Sequence, residues 1–368
     1  MTRAAGVLAL EDGSIFRGEA FGATGTATGE VVFNTAMSGY QEILTDPSYC
    51  GQIVTMTAPL IGNYGMNGDD DESSKMHLSG FICKELSLEF SNYRANGSLH
   101  EYLSRAGVIG LTGIDTRALT KRLRQQGSLR GVISSERHDP VELVARARAA
   151  APMEGANLVE RVAPGFERRF VNAGGDGMSV LAVDCGLKQN IVRELVASGC
   201  SVTTINGDLT AAEVLARKPS GLLVGNGPGD PAAVTATIEM LKGVVGKIPV
   251  FGICLGHQML ALALGARTYK LKSGHHGANH PVLNTDTGRV EITSQNHGFA
   301  VDLASLEAVG GRATHVSLYD RSLEGFAHDG FGVFAVQYHP EAAPGPHDSA
   351  YLFDRFARAM RGEFTPVV

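Results

Sequence analysis

From Ser179 onward the sequence changes from strand to helix and back with little else between: "SVLAVDCG", "LKQNIVRELVASG", "SVTTING", "TAAEVLARK", "GLLVGNG", "DPAAVTATIEMLKGVVG", "IPVFGIC", and then the helical run after Cys254. Short β-branched stretches alternating with helices of this length predict a mostly parallel, doubly wound sheet. Such sheets bind ligands outside the carboxyl ends of their strands, so the chemistry is sought in the loops there. Two glycine-rich segments fall at predicted strand ends: "GNGPGDP" (Gly225 to Pro231) and "VFGICLGHQMLALALGA" (Val250 to Ala266). The first lacks the Lys-Ser/Thr of a phosphate-binding loop and the G-x-G-x-x-G spacing of a dinucleotide site. Its glycines leave room for a ligand to approach the backbone, with N–H groups free to donate, as an oxyanion hole requires.

The second segment sets one cysteine between two glycines. A cysteine in an apolar setting is ordinarily a small buried hydrophobe. Gly252-Ile253-Cys254-Leu255-Gly256, however, has the G-x-nucleophile-x-G spacing of a sharp strand-to-helix elbow. The run Ile248 to Ile253 predicts the strand, and Leu255 to Leu264 the helix. A helix N-terminus favours the thiolate of a thiol placed there, which makes the nucleophile reading of Cys254 the better one.

A base is sought among the histidines. "VFAVQYHPEAAP" predicts a strand over Val333 to Tyr338 ending in His339-Pro340-Glu341. If extended geometry continues through Pro340, His339 and Glu341 share a face, and the carboxylate can fix the imidazole tautomer. A His-Glu pair at a strand end is also an ordinary surface feature. His275, His276 and His280 in "SGHHGANHP" read as a turn, with no metal site, because no partnering cysteine or acidic residue is near in sequence. His257, one turn into the elbow helix, reads as a hydrogen-bonded structural histidine. His297 in "SQNHGFAVD" sits in a predicted turn whose Asn296, Gly298 and Phe299 offer backbone groups to a ligand.

The first part is organised differently. "GVLALEDG", "SIFRGEAFG" and "GEVVFNTAMSGY" predict antiparallel hairpins, and "SLHEYLSRAG", "DTRALTKRLRQQG" and "DPVELVARARAA" predict helices opening on Ser or Asp N-caps. The expected organisation is an α/β protein: a smaller α+β domain over 1–150, a Gly/Pro-rich linker over 151–177, and the doubly wound domain over 178–368. The acidic run Asp69 to Glu72 reads as a solvated loop. A net charge of -6 without a basic stripe gives no reason to expect nucleic acid. The N-terminus, with Glu11 and Asp12 interrupting a brief apolar stretch, reads as neither signal peptide nor membrane span. Five scattered cysteines without C-x-x-C spacing fit a reduced, cytoplasmic setting.

"GICLGHQ", the distal "HPE" and the upstream "NGPGDP", in this arrangement, resemble the class I (triad) glutamine amidotransferases. "ATGEVVFNTAMSGYQEILTDPSY", "QIVTMTAPLIGNYG", "GIDTRALTKRLR", "VDCGLKQNIVRELVASGC" and "HHGANHPV" extend the likeness over essentially the whole chain, to the small subunits of carbamoyl phosphate synthetase. The resemblance implies that Cys254 attacks the side-chain amide of L-glutamine, that His339 moves the protons and that Glu341 orients His339. It places the glutamine contacts on Ser48, Gly227, Gly229, Leu255, Gln258, Asn296, Gly298 and Phe299. It also implies a partner, the large synthetase subunit, which binds ATP and Mg, activates bicarbonate, and makes carbamoyl phosphate for arginine and pyrimidine synthesis. The chain ends at "AMRGEFTPVV", so that partner is expected to be a separate polypeptide forming a heterodimer with this one, and no cofactor is expected here. Two rival readings are a freestanding γ-glutamyl cysteine hydrolase and a catalytically silent glutamine-binding regulatory subunit. Co-purification with a large ATP-binding chain discriminates against the first, and a thioester trapped on Cys254 against the second.

Overall fold

The structure, a computed structural model, describes residues 4–174 and 177–363. Gly175 and Asp176 of the expected linker, and the last five residues of "AMRGEFTPVV", lie outside the described residues. The chain divides into two compact units, Met1–Glu154 with Lys272–Gly277, and Gly155–Leu271 with Ala278–Val368.

The first unit is built on strands β1 (Ala5–Leu10), β2 (Ile15–Gly22), β3 (Thr26–Asn34), β4 (Gln52–Met56), β5 (Leu60–Ile61), β6 (Gly80–Ile82), β7 (Glu85–Leu86), β8 (Ile109–Thr112) and β9 (Leu129–Ser134). Seven of them close a barrel in the order β1-β2-β8-β6-β4-β3-β9, while β5 and β7 pair separately. The period-2 alternation of β1 shows what the sheet separates: Leu8 and Leu10 face a core with Leu119 and Leu123, whereas Val7 and Ala9 face Leu143 and Ala147. Helices Leu99–Ala106, Thr116–Gln126 and Pro140–Ala149 open on Ser98, Asp115 and Asp139, each side chain accepting a backbone N–H, as the sequence predicts.

Only part of the expected hairpin pattern holds. The β1–β2 pair is antiparallel, but β3–β4, β4–β6 and β6–β8 are parallel. A parallel pair needs a crossover rather than a tight turn, and helix Tyr40–Thr45 lies on the one between β3 and β4. The acidic run is not a free loop either. Asp69 and Asp70 pair with Arg94, Gln41 Nε2 donates to Asp71 Oδ1 at 2.7 Å, and Glu72 is buried.

The second unit carries one ten-stranded sheet: β10 (Arg168–Phe170), β11 (Ser179–Val183), β12 (Ser201–Ile205), β13 (Gly221–Val224), β14 (Val250–Ile253), β15 (Thr268–Asn284), β16 (Val290–Val301), β17 (Arg312–Ser317), β18 (Leu323–His328) and β19 (Val333–Val336). The order is β10-β12-β11-β13-β14-β19-β18-β17-β15-β16, and the run from β12 to β19 is parallel. Helices cover both faces. On one, Leu181, Val183, Leu222 and Val224 meet Ile238, Leu241, Met259 and Leu260; on the other, Val180, Ala182, Leu223 and Phe251 meet Ile191, Leu195, Phe353 and Phe356. Burial on both faces explains why these strands read as continuous apolar runs.

The 151–177 segment carries structure of its own. It forms a helical turn at Val159–Val162, and β10 pairs antiparallel with β12. "SGHHGANHP" is no turn: it lies within the 17-residue β15. Residues 272–277 of that strand belong to the first unit, where Ser128 N–H donates to Lys272 O at 2.9 Å and Thr35 N–H to His276 O at 3.1 Å. Among the described residues no helix is long and apolar enough to cross a membrane.

Candidate active site

Strands β14 and β19 are parallel neighbours, with Ile253 paired to Val336, so the residues that follow each emerge together at the carboxyl edge of the sheet. Cys254 follows one, and Gln337-Tyr338-His339 the other. The Cys254 N–H donates to Val336 O at 2.9 Å, and the residue turns into helix Leu255–Leu264 at φ 54°, ψ −104°. A non-glycine residue held there stores about 1–3 kcal/mol of strain, which persists at nucleophile and ligand sites when the surroundings over-determine it. The flanking glycines are required by close approach. A Cβ on Gly252 would lie 2.5 Å from Leu260 Cδ1, and one on Gly256 only 2.1 Å from Val224 O. Gly256→Ala is therefore expected to cost about 3 kcal/mol or more, read as a lowered urea midpoint, because backbone oxygen cannot move aside like a side chain.

The His339 ring and the Glu341 carboxylate meet, but not along the extended strand that the sequence predicts. The strand ends at Val336, and Pro340 and Glu341 lie in a turn closed by Ala342 N–H donating to His339 O at 3.1 Å. His339 Nδ1 lies 2.7 Å from Glu341 Oε1, with both side chains buried. The pair thus meets across a turn rather than along a strand face. Among the described residues His339 Nε2 has no hydrogen-bond partner of ordinary geometry, and the ring is close enough to Cys254 to respond to its charge. Burial alone would lower the imidazole pKa, but the Glu341 carboxylate and a Cys254 thiolate outweigh it and raise it to about 10. Cys254 Sγ also faces the Asn296 carbonyl at 3.6 Å, to which a thiol donates, so the sulfur stands between a carbonyl and the imidazole.

Two further residues join the array that sequence reasoning missed. Lys188 Nζ lies 3.0 Å from Glu341 Oε1 and donates to Ala342 O at 2.6 Å, with both charged groups buried. Burial raises the Glu341 pKa, and Lys188 and His339 reverse that and pull it down to about 2. Gln337 Nε2 lies 3.7 Å from Cys254 Sγ, and Gln258 Nε2 bridges Gln337 Oε1 at 3.0 Å and Phe299 O at 2.8 Å. Lys188 follows β11, at the same edge of the sheet, which is the one signal in the sequence that could have singled it out.

The residues expected to contact glutamine lie as follows, each within its own unit. Leu255 is the first helical residue, whose N–H has no carbonyl of its own helix to bond. Gly227 leaves no room for a side chain, since a Cβ would lie 2.2 Å from Cys185 O, and Gly229 turns at φ +94°. Gly256 N–H donates to Gly225 O at 3.1 Å, tying the "GNGPGDP" loop to the elbow. Asn296, Gly298 and Phe299 lie in β16, not in a turn, and a Cβ on Gly298 would meet open space. Gln258 spends its amide nitrogen on Gln337 Oε1 and Phe299 O. Ser48 belongs to the first unit, in the turn Pro47–Tyr49, with its N–H donating to Asp46 Oδ1 at 2.9 Å. His257 is buried against Phe326, and burial pushes its pKa down to about 3, so it is a neutral packing residue.

A cysteine nucleophile, an imidazole fixed by a carboxylate, and backbone donors beside the sulfur make a site able to perform acyl transfer at an amide carbon. Residues 8–133 match the family model described as carbamoyl-phosphate synthase small chain, CPSase domain, and residues 181–359 match that of glutamine amidotransferase class-I. Three relatives, each named carbamoyl phosphate synthase small chain, align over nearly their full length. That of Chlorobaculum tepidum is 54% identical over 96% of this chain and 97% of its own. That of Syntrophotalea carbinolica is 51% identical over 96% and 97%, and that of Fusobacterium nucleatum 51% over 95% and 97%. With both parts matched, and about half of its residues shared with each of these relatives, the chain belongs to the carbamoyl phosphate synthase small chain family.

Proposed function

We propose that this chain is the glutaminase subunit of a glutamine-dependent carbamoyl phosphate synthetase. The observation that carries the reading is the buried array of Cys254, His339 and Glu341 at the ends of adjacent strands, in a chain whose relatives are carbamoyl phosphate synthase small chains. The Cys254 thiolate adds to the Cδ amide carbon of L-glutamine, and the oxyanion is held by the Leu255 N–H with one from Gly227 or Gly229. His339, as imidazolium, protonates the departing nitrogen, the C–N bond breaks, and a γ-glutamyl thioester and ammonia result. The neutral imidazole then takes a proton from water, whose oxygen attacks the thioester, and glutamate leaves with the thiol restored.

Ammonia is a nucleophile only when unprotonated, and in water at neutral pH most of it is ammonium. Handing it through protein to a partner avoids that loss. The partner is a large subunit holding ATP and Mg, which joins the ammonia to activated bicarbonate; its product serves arginine and pyrimidine synthesis. Five free, buried cysteines support a reducing, cytoplasmic setting. The alternatives, a freestanding hydrolase or a silent binding subunit, gain no observation here.

The test is glutamate release from glutamine by the purified chain with and without its large subunit, ATP and bicarbonate. We expect a rise of at least about 10-fold in the complex, a coupling of ordinary size between linked sites. Equal turnover by the isolated chain and the complex would leave a freestanding hydrolase as the better reading.

A further inference from the structure

A second buried polar chain, which the triad does not use, leads to the stretch of β16 whose Asn296 carbonyl faces the sulfur. Glu324, on β18, is fully buried, and its Oε2 accepts from Gln295 Nε2 at 2.9 Å. The same nitrogen donates to Thr293 Oγ1 at 3.1 Å, and that hydroxyl donates onward to His280 O at 2.9 Å. Gln295 is therefore oriented with its nitrogen toward Glu324 and its Oε1 toward His297 Nε2, 2.9 Å away. The other ring nitrogen of His297, Nδ1, lies 2.8 Å from Phe299 O. Both nitrogens of this buried ring thus face carbonyl-type oxygens, which only accept.

A neutral imidazole has one N–H and would set its bare nitrogen against the lone pairs of the second oxygen. Two donors require the imidazolium. Its charge is matched by Glu324, whose Oε1 lies 3.8 Å from His297 Nε2. Turning the Gln295 amide to suit a neutral ring would bring its oxygen against the Glu324 carboxylate. What the cation holds is the site itself: Phe299 O also receives Gln258 Nε2, Gln258 binds Gln337, and Gln337 reaches Cys254 Sγ. Asn296, between Gln295 and His297, presents the carbonyl that faces the sulfur. Glu324 further accepts the Gln337 N–H on its own carbonyl at 2.8 Å.

We propose that Glu324 is a positioning residue for the glutaminase reaction: by keeping His297 as an imidazolium, it fixes the 295–299 stretch and the Gln258–Gln337 pair against the nucleophile. The inference rests on the glutaminase reading of the same site and adds a residue that no sequence motif carries.

The direct test is the protonation state of His297 in the full chain labelled with 15N-histidine at pH 7.5, its signals identified by their loss in H297N. Two protonated ring nitrogens are expected in the wild type, and one bare nitrogen in E324Q. In steady-state assays E324Q should raise KM for glutamine by about 10-fold or more while kcat changes by less than about 3-fold, the pattern of a lost binding geometry. The double variant H297N/E324Q should be no worse than H297N, because the two act through one interaction. A wild-type ring with a bare nitrogen overturns the proposal, and this reading stands even if E324Q fails to fold. So does an E324Q KM equal to that of the wild type, or additive losses in the double variant. If Cys254→Ser abolishes turnover while His297 carries a single proton, the positioning role fails and the glutaminase reading is untouched.

Discussion

Replacing Cys254 with Ser lowers glutamate release from glutamine by at least about 10⁴-fold, with little change in the unfolding midpoint. The rate loss is large because members of a nucleophile–base array act as a unit, so that removing one forfeits most of what the set achieves. The midpoint is expected to hold because serine fills nearly the same volume at φ 54°, donates as the thiol does toward Asn296 O, and keeps the backbone bond to Val336. A γ-glutamyl thioester, trapped by rapid acid quench, should be present on the wild type and missing from the variant. If the variant retained wild-type turnover, Cys254 would revert to a packed core residue and the elbow to a structural turn. Glutamine binding without turnover in the wild type would instead favour the silent regulatory subunit.

The sequence shows the parts of this site that depend on local geometry. The elbow is readable because its requirement is local: a strand, a residue at positive φ, and small neighbours that admit Val224 O and Leu260, all within five positions. The doubly wound sheet is readable because alternating elements of the right length leave few other ways to bury both faces. The barrel of the first unit is not, since closing β1 against β9 joins residues more than 120 positions apart, and the parallel pairs among β3, β4, β6 and β8 are set by crossover packing. The same limit hides Lys188, Gln337 and Glu324. Each is an unremarkable polar residue in its own segment, and its meaning arises from partners on other strands. Glu341 was legible by its nearness to His339, yet the reason drawn from extended geometry was not the operative one, because the backbone turns at Pro340 and the carboxylate reaches back to the ring.

Lys188→Met is expected to destabilise the chain by about 3–5 kcal/mol, the cost of leaving one member of a buried ion pair without the other. The ammonium is the largest of the influences that hold Glu341 ionised against burial. Methionine matches the length of the aliphatic stem but offers no charge and no donor to Ala342 O. The sign of the pH dependence follows from the two shifts. Glu341 has a folded pKa of about 2, below its ordinary 4.5, so its contribution is full above pH 4.5 and is lost as pH falls toward 2. His339 has a folded pKa of about 10, above its ordinary 6.5, so its contribution is full below pH 6.5 and is lost as pH rises toward 10. Removing Lys188 weakens the first shift and leaves the source of the second in place. Acid unfolding should therefore begin at higher pH in the variant, while the alkaline limb of the stability profile changes less. If Lys188 served packing alone, both limbs would drop in parallel, and urea midpoints measured from pH 3 to pH 10 separate the two cases. On the acid side of the profile turnover should fall as well, because a Glu341 that takes up a proton there no longer stabilises the imidazolium that delivers the proton to departing ammonia. The buried lysine thus connects stability to chemistry: the charge that lets Glu341 remain ionised in the core is the charge that keeps His339 ready to act as an acid.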